Sequence, residues 1–199
     1  QGLSCYWFSL ESTDVELMDR MMSAMSGVRF KGRTKGFSKT EFANIGVAQK
    51  KATEFKLYES DEHGSSIETI EARVREAKNM KHGLDAVFVD YFQIIRVKER
   101  FGNGQEKFAF ISSELKRIAK KYEVAVFTPA QLNRGAASNT MPDDDPRGMR
   151  PMVSHMRGGD DLVNESDVCL LLHTRNADSP YRDEYEVADF YVQKTRNGD

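Results

Sequence analysis

The segment Ala86-Val87-Phe88-Val89-Asp90 is a continuous apolar run that ends in a carboxylate. Such a run is typical of a parallel strand that is covered on both faces. A helix is predicted before it, with a capping box at Ser65 and Glu68 and a closing glycine at Gly83. The residues of this helix that recur at helical spacing are Ile67, Ile70, Val74 and Ala77. A helix that leads into a buried strand indicates an α/β protein.

Upstream of this unit, the sequence predicts two strands and two helices. Residues 5–10 form a short aromatic-rich run, typical of a buried strand, and residues 55–59 predict another. A capping box at Thr13 opens one helix, and a capping box at Ser38 opens a second helix that extends to about residue 52. On the first helix, a methionine-rich face is expected to pack in the core. It consists of Val15, Met18, Met21, Met22 and Met25.

Downstream, the alternation of strands and helices continues. The predicted elements are a helix that ends near Tyr122, a strand over 124–128, a short helix near 159–165 and strands over 167–173 and 185–196. Residues 133–151, which are polar and acidic and contain proline, are expected to form a mobile loop. This order predicts an α/β domain with a largely parallel sheet.

Composition limits the classes of protein to which the chain can belong. Its 199 residues favour one domain, and its net charge of −2 excludes a globally basic nucleic-acid binder, although not a local basic patch. No apolar stretch is long enough to span a membrane, and no secretory leader is visible. The two cysteines, Cys5 and Cys169, have no zinc or disulfide spacing, which fits a reducing cytosol.

Polar side chains follow several of the predicted strands. Ligands of parallel sheets bind beyond the carboxyl ends of the strands, so these side chains are candidate site residues. They are Glu11, Asp90, Gln131, Lys194 and Arg196. An acid at such a strand end suits a magnesium ion, directly or through water, and a second carboxylate can activate a water molecule. A glutamine can orient that water, and an arginine supplies charge in phosphoryl transfer.

Each of these residues alone also fits a structural role. Asp90 could cap a helix or lie in a surface turn, and Glu11 could be an acid in the first turn of a helix. Lys194 and Arg196 are two residues apart and point to one face, where they could form a solvated strand end. The ordered set favours a functional site.

Six segments, taken in order, resemble the RecA-like motor domain of the DnaB-type hexameric replicative helicases. The resemblance covers nearly the whole chain, and its most specific strings are Asp90-Tyr91-Phe92-Gln93 and Lys194-x-Arg196-Asn197-Gly198. The other segments are Phe8-Ser-Leu-Glu11, Ile111-Ser-x-x-Leu-Lys-x-Ile-Ala-Lys120, Gln131-Leu-Asn-Arg134 and Arg150-Pro-Met-Val-Ser-x-Met-Arg157. The resemblance implies a RecA-like three-layer fold with a mostly parallel, twisted sheet. Divergence from typical bacterial forms suggests a phage-like member.

The resemblance also implies roles in ATP hydrolysis. Glu11 is similar to the glutamate that polarises the attacking water, and Asp90 to the Walker B aspartate that acts on Mg²⁺. Gln131 is similar to the residue that couples the γ-phosphate to the DNA loops. Arg196 is similar to the arginine finger, with Lys194 beside it, and in the family both act on ATP that the neighbouring subunit holds.

The expected partners follow from the same resemblance. Arg157 and Gly159 fall in the loop that holds single-stranded DNA in a central channel, where backbone N–H groups and arginine track phosphates. Arg96 lies in a basic segment near Tyr91, Phe92 and Phe101 and is a further candidate DNA contact, although packing is favoured for the two aromatic residues next to Asp90. A hexameric ring, a primase or helicase loader, and the cytoplasm of a bacterial or phage-infected cell are expected.

The chain departs from the family pattern in two places. No segment matches the P-loop G-x-x-x-x-G-K-[ST], which in the family lies just upstream of the segment that matches Phe8 and is therefore expected to precede Gln1. The first core strand, between strands 124–128 and 167–173 in the family sheet, is expected to be missing with it. The family's Arg-Glu-Ser-Gly string reads Arg157-Gly-Gly-Asp160 here, which puts the glutamate contact in doubt.

Residues 1–199 are thus expected to form a partial RecA-like ATPase domain of an ATP-dependent replicative helicase that unwinds DNA. Because the P-loop is missing, this fragment alone is expected to be inactive. The alternative is a non-hydrolytic RecA-like module that binds DNA or a partner subunit. A RecA-like ATPase of recombination or clock proteins is a third reading, and the strings at Gln131 and Lys194 argue against it.

Overall fold

The structure of the protein is a computed structural model, which describes residues 2–30, 34–60, 64–132, 152–156, 159–174 and 188–196. These residues contain six strands and five α-helices. The strands are β1 (Ser4–Ser9), β2 (Lys56–Ser60), β3 (Ala86–Asp90), β4 (Ala125–Phe127), β5 (Val168–Thr174) and β6 (Ala188–Thr195). The helices are α1 (Asp14–Ser26), α2 (Lys39–Ala52), α3 (Ile67–Lys78), α4 (Gly104–Tyr122) and α5 (Gly159–Glu165). The predicted α/β class is confirmed.

Four strands form one parallel sheet, in the order β2-β1-β3-β4. In its two central strands, Tyr6 lies opposite Val87 and Phe8 opposite Val89, and all four side chains are buried. This pairing explains the continuous apolar run of β3, because a central parallel strand is packed on both faces. The carboxyl ends of β1 and β3 consequently lie side by side.

The helix caps in the structure match those predicted from the sequence for two helices and differ for one. Thr13 and Ser38 open α1 and α2 with complete capping boxes. Helix α3 begins one residue later than predicted, because the hydroxyl of Ser66, not Ser65, accepts the N–H of Thr69. The helix also ends at Lys78, so Gly83 does not close it but lies in the turn beyond. There the φ of Gly83 is 63°, in the left-handed region that favours glycine.

The methionine-rich face of α1 was predicted correctly only in part. Met22 is buried as predicted, whereas Val15 is 70% exposed and Met18 42% exposed, and Leu17 is buried although it lay outside the predicted face. The partner helix decides this, since α1 packs against α2 through Met22 and its neighbours. The cluster comprises Met22, Val28, Ile45 and Ala48, with Met25, Phe30 and Phe37 against it. Periodicity alone does not reveal which end of an amphipathic helix meets its partner.

The residues divide into two compact units. The first comprises Gln1–Lys98 and Arg117–Pro129 and contains the four-stranded sheet, in which β4 pairs with β3 alone among the described strands. The second comprises Glu99–Lys116 and Ala130–Asp199 and contains β5 and β6 as an antiparallel pair. One face of this pair is exposed and apolar, through Val168, Leu170, Leu172, Phe190 and Val192. The predicted mobile loop at 133–151 lies outside the described residues.

Three aromatic rings stack across the four-stranded sheet. Trp7 on β1 stacks on Phe88 of β3, with ring centroids 5.2 Å apart, and Phe88 stacks on Phe127 of β4 at 4.9 Å. Phe127, at the free edge, is 53% exposed. The stack therefore connects the centre of the sheet to its exposed edge.

No helix among the described residues is long and apolar enough to cross a membrane.

A charged cluster joins α3 to α4 in the first unit. The carboxylate of Glu71 accepts a bidentate pair of hydrogen bonds from Arg117, one bond from Lys121 Nζ at 2.8 Å and one from the hydroxyl of Tyr122 at 3.1 Å. These donors, Arg117 first, lower the pKa of Glu71 from 4.5 to about 2. The cluster holds the two helices together through one carboxylate.

Replacing Glu71 by glutamine is expected to lower the free energy of unfolding at pH 7 by about 1–3 kcal/mol, a range that allows for water around the cations. The folded-state pKa is depressed, so this stabilisation is complete above the unfolded pKa of 4.5 and is lost as the pH falls towards about 2. Urea unfolding at pH 7 and below pH 3 measures both effects.

The matched control is Glu76→Gln, which removes an exposed carboxylate of the same helix that pairs with Arg73. It is expected to cost about 0.5 kcal/mol or less. Equal losses in the two variants would contradict the role assigned to the Glu71 cluster.

Candidate active site

The two predicted carboxylates lie at the same end of the four-stranded sheet. Ser9 pairs with Asp90 in the parallel register of β1 and β3. Beyond this pair, the N–H of Leu10 donates to the carbonyl of Asp90 at 3.0 Å. Glu11 is the next residue and is exposed, while Asp90 is half-buried. The ladder therefore brings together the backbones that carry these carboxylates.

The turn that carries Glu11 is closed by a buried hydrogen bond. The hydroxyl of Ser9 donates to the carbonyl of Ser12 at 2.6 Å, and both residues are buried. Helix α1 begins only after Thr13, and the acids of its first turn are Asp14 and Glu16. Glu11 is therefore not a first-turn acid of α1. It lies on a fixed turn at the strand end, which is where a catalytic carboxylate is expected.

The chain around Asp90 is fixed on its other side by the segment that follows β4. The hydroxyl of Thr128 donates to the carbonyl of Val89 at 2.9 Å, and the N–H of Phe92 donates to the carbonyl of Pro129 at 3.0 Å. Phe92 is fully buried, which confirms packing for this ring. Asp90 is the last residue of β3, and the short 3₁₀ helix that follows, Phe92–Ile94, has Tyr91 and not Asp90 at its N-cap.

Arg96 lies on the surface beside the start of α3. Its N–H donates to the carbonyl of Ser65 at 3.2 Å, and its carbonyl accepts the N–H of Ile67 at 3.0 Å. The guanidinium lies against Gly64, where an added Cβ would be 2.5 Å from Nε. Gly64 has a φ of 62°, in the left-handed region that favours glycine. The backbone of Arg96 is thus fixed and its side chain exposed.

Gln131 belongs to the second unit and lies beside the segment that leads to the predicted DNA loop. Leu132, the next residue, forms an antiparallel bridge with Met156. Arg157, which follows Met156, lies outside the described residues. Within the second unit, the bridge therefore places the segment that carries Gln131 beside the segment that ends at Met156.

Lys194 and Arg196 point to one face, as predicted, and both bind the carboxyl end of α5. Lys194 Nζ donates to the carbonyls of Val163 at 2.6 Å and Asn164 at 2.9 Å. Arg196 Nη2 donates to the carbonyl of Asn164 at 2.7 Å. Cations at a helix C-terminus satisfy its last carbonyls and complement its dipole. Tertiary contacts of this kind cannot be read from the sequence.

Gly159, the first residue of α5, is buried for a steric reason. An added Cβ would lie 2.6 Å from the carbonyl oxygen of Val153 and 3.1 Å from the side chain of Met156. The N–H of Gly159 also donates to the carbonyl of Met156 at 3.0 Å. The start of α5 is therefore packed directly on the short 3₁₀ helix Val153–His155.

Replacing Gly159 by alanine is expected to lower the free energy of unfolding by about 1–3 kcal/mol, because a backbone carbonyl must move to admit the methyl group. Chemical denaturation measures the change. Gly104→Ala, at the start of α4, is the control, since its methyl group would meet nothing within 4 Å and is expected to cost less than about 0.5 kcal/mol. A Gly159→Ala variant as stable as this control would contradict the steric account.

The residues at the strand ends fit a magnesium ion in part. Mg²⁺ in nucleotide sites takes one or two carboxylates and completes its octahedron with water and phosphate. The half-buried carboxylate of Asp90 provides a hard oxygen of this type. Within the described residues, no group of three or more histidine, cysteine or acidic side chains forms a complete metal site. The protein would thus supply one or two of the ligands.

Two residues of the second unit, Asp167 and Lys116, were missed by sequence reasoning. The N–H of Arg196 donates to the carbonyl of Asp167 at 2.7 Å. The Asp167 carboxylate lies 3.4 Å from Arg196 Nη1 and 2.5 Å from Lys116 Nζ. Asp167 lies before a strand and carried no sequence signal, and Lys116 lies within a segment that resembles the family but was assigned no role.

The parallel four-stranded sheet with its helices has a RecA-like fold. The solved structures support this fold: a DnaB-like replicative helicase, described with its interactions with primase, matches 99% of this chain and 46% of its own with a TM-score of 0.84 at 21% identity. A second solved structure, an ATPase domain, matches 99% of this chain and 68% of its own, also with a TM-score of 0.84, at 20% identity.

The chain belongs to the DnaB-like helicase C-terminal domain family, whose model matches residues 1–199. The replicative DNA helicase DnaB of Mycobacterium leprae is 30% identical over 195 residues, which cover 96% of this chain and 30% of that protein. The corresponding helicase of Leifsonia xyli is 30% identical over 200 residues, or 98% of this chain and 41% of that protein. The chain therefore spans less than half the length of these curated relatives.

Proposed function

We propose that residues 1–199 are part of one RecA-like motor domain in an ATP-dependent replicative helicase, which translocates on single-stranded DNA and unwinds the duplex. The observation that carries the proposal is the juxtaposition of Glu11 and Asp90, through the Leu10 to Asp90 hydrogen bond of 3.0 Å. Phosphoryl transfer to water needs one carboxylate beside the metal and a second that acts on the water. Family membership supports the same reaction.

Glu11 is the residue assigned to the attacking water. Its exposure and its position on a turn closed by Ser9 and Ser12 let the carboxylate reach solvent while its backbone stays fixed. A carboxylate so placed accepts a proton from water as the water attacks the γ-phosphate. Gln131, through the bridge of Leu132 to Met156, is assigned to couple the phosphate to the DNA loop.

Asp90 is the residue assigned to hold Mg²⁺, through water. The bound ion would supply charge that stabilises the phosphate oxygens. The hydrogen bonds around Val89 and Phe92 fix the backbone of Asp90, so its carboxylate is presented at a constant position. A P-loop upstream of Gln1 is proposed to hold the phosphates, and its strand to pair with the free edge of β4, because an unpaired edge accepts a strand.

Arg196 and Lys194 are assigned to ATP on the neighbouring subunit of a hexameric ring. Both lie on one face of a strand end, and the side chain of Arg196 is 41% exposed. Arg157, Gly159 and Arg96 are assigned to the phosphates of single-stranded DNA, which such residues track without reading bases. A primase or helicase loader and the cytoplasm of a bacterial or phage-infected cell complete the proposal.

The test compares ATP hydrolysis by the full-length protein with hydrolysis by residues 1–199, each with and without single-stranded DNA. We expect DNA-stimulated turnover from the full-length protein and none from the fragment. Turnover by the fragment alone would overturn the proposal that phosphate binding needs the upstream segment. A full-length protein that binds DNA but hydrolyses no ATP would instead be the non-hydrolytic binding module.

A further inference from the structure

Lys194 and Arg196 do not hold α5 in the same way. Lys194 contacts two neutral carbonyls, those of Val163 and Asn164. Arg196 contacts one carbonyl, that of Asn164, and in addition lies against a carboxylate, that of Asp167. These two acceptors meet different nitrogens of the guanidinium, Nη2 and Nη1. A planar group that is held at two nitrogens has a fixed plane as well as a fixed position.

The carboxylate of Asp167 is itself anchored. Lys116 Nζ donates to it at 2.5 Å, and the side chain of Lys116 is only 15% exposed, on the long helix α4. The backbone of Asp167 is tied to the same arginine, since its carbonyl accepts the N–H of Arg196 at 2.7 Å. The Asp167 carboxylate therefore contacts both the largely buried ammonium side chain of Lys116 and the more exposed guanidinium of Arg196.

We propose that Asp167, anchored by Lys116, is a positioning residue for Arg196. It orients the guanidinium so that the remaining N–H donors face the phosphates held by the neighbouring subunit. A guanidinium carries five N–H donors, and the contacts with Asn164 and Asp167 engage Nη2 and Nη1. This inference rests on the proposed function, because Arg196 must act in hydrolysis for its orientation to matter.

The test uses Asp167→Asn in the full-length protein. We expect kcat for DNA-stimulated ATP hydrolysis to fall about 10- to 100-fold, the loss that a misplaced group causes, while KM for ATP and the affinity for single-stranded DNA stay unchanged. Asp167→Glu, which keeps the charge, is expected to recover part of the activity. Glu76→Gln, which removes an exposed carboxylate from another arginine pair, is the matched control and is expected to have no effect.

Co-expression with Asp90→Asn subunits separates positioning from a folding defect. In a mixed ring, an Asp167→Asn subunit with an intact Asp90 can meet an Asp90→Asn subunit with an intact Asp167 and Arg196. That interface is expected to be active, so the mixture should exceed either variant alone. A subunit that is merely misfolded gives no such recovery.

Arg196→Ala, measured in parallel, distinguishes the two levels of the proposal. Loss of activity in Arg196→Ala with full kcat in Asp167→Asn would overturn the positioning role and leave the function intact. Full activity in both would overturn the role proposed for Arg196 in hydrolysis, on which this inference rests. If Asp167→Asn does not fold, as shown by circular dichroism, Lys116→Gln removes the anchor instead, and its kcat decides the proposal by the same criteria.

Discussion

Arg196→Ala is expected to lower kcat for ATP hydrolysis by about 10³- to 10⁵-fold in the full-length protein, the range for removing an arginine that stabilises charge in phosphoryl transfer. In the transition state the transferred phosphate carries negative charge on its oxygens, and the guanidinium stabilises that charge. A neutral neighbouring group cannot replace the guanidinium in this role. ATP binding is expected to persist, because the proposed function places Arg196 on a different subunit from the residues assigned to the metal. Single-turnover hydrolysis and nucleotide binding measure the two quantities.

The control for Arg196 is Arg73→Ala, which removes an exposed arginine from a surface pair on α3. We expect full activity from it. A fall in kcat of less than tenfold in Arg196→Ala would contradict its assignment and favour the purely structural role of holding the end of α5 through Asn164.

Glu11→Gln is expected to lower kcat by about 10²- to 10⁴-fold, the contribution of a general base. The amide keeps the size of the side chain and removes its ability to accept a proton from water. Binding of magnesium nucleotide is expected to remain, since Asp90 is unchanged. Rapid-quench measurement of a single turnover isolates the chemical step from product release.

Glu54→Gln is the control for Glu11, because Glu54 is an exposed acid beyond the end of α2. It is expected to leave kcat unchanged. Equal activity of Glu11→Gln and the control would show that the turn after β1 has no role in activating water, and Asp90 would then be the only acid of the site that the proposal retains.

The elements of the first unit were predictable because local signals and burial agree there. The apolar run of β3 and the capping boxes at Thr13 and Ser38 each depend on neighbouring residues, and the structure confirms them. The positions of Glu11 and Asp90 after predicted strands were likewise read from local pattern. The pairing of β1 with β3, which brings their backbones together, is a contact between segments about eighty residues apart and was not predicted.

Other features depended on partners that sequence does not reveal. The buried face of α1 is set by where α2 packs, so Val15 and Met18 are exposed although they belong to an apolar pattern. The contacts of Arg196 with Asn164 and Asp167 join segments about thirty residues apart in the chain. Gly159 is glycine because a carbonyl lies 2.6 Å from where its Cβ would be.

The aromatic stack on the four-stranded sheet gives the molecule an optical probe of its own. Trp7 is the single tryptophan of the sequence, and its indole N–H is buried with no hydrogen-bond partner among the described residues. Its ring connects through Phe88 to Phe127 on the free strand edge. A strand that pairs with β4 would exclude water from Phe127 and change the surroundings of the whole stack. If the strand proposed to precede β1 pairs with β4, the intrinsic fluorescence of Trp7, recorded without a label, is expected to report that pairing in real time.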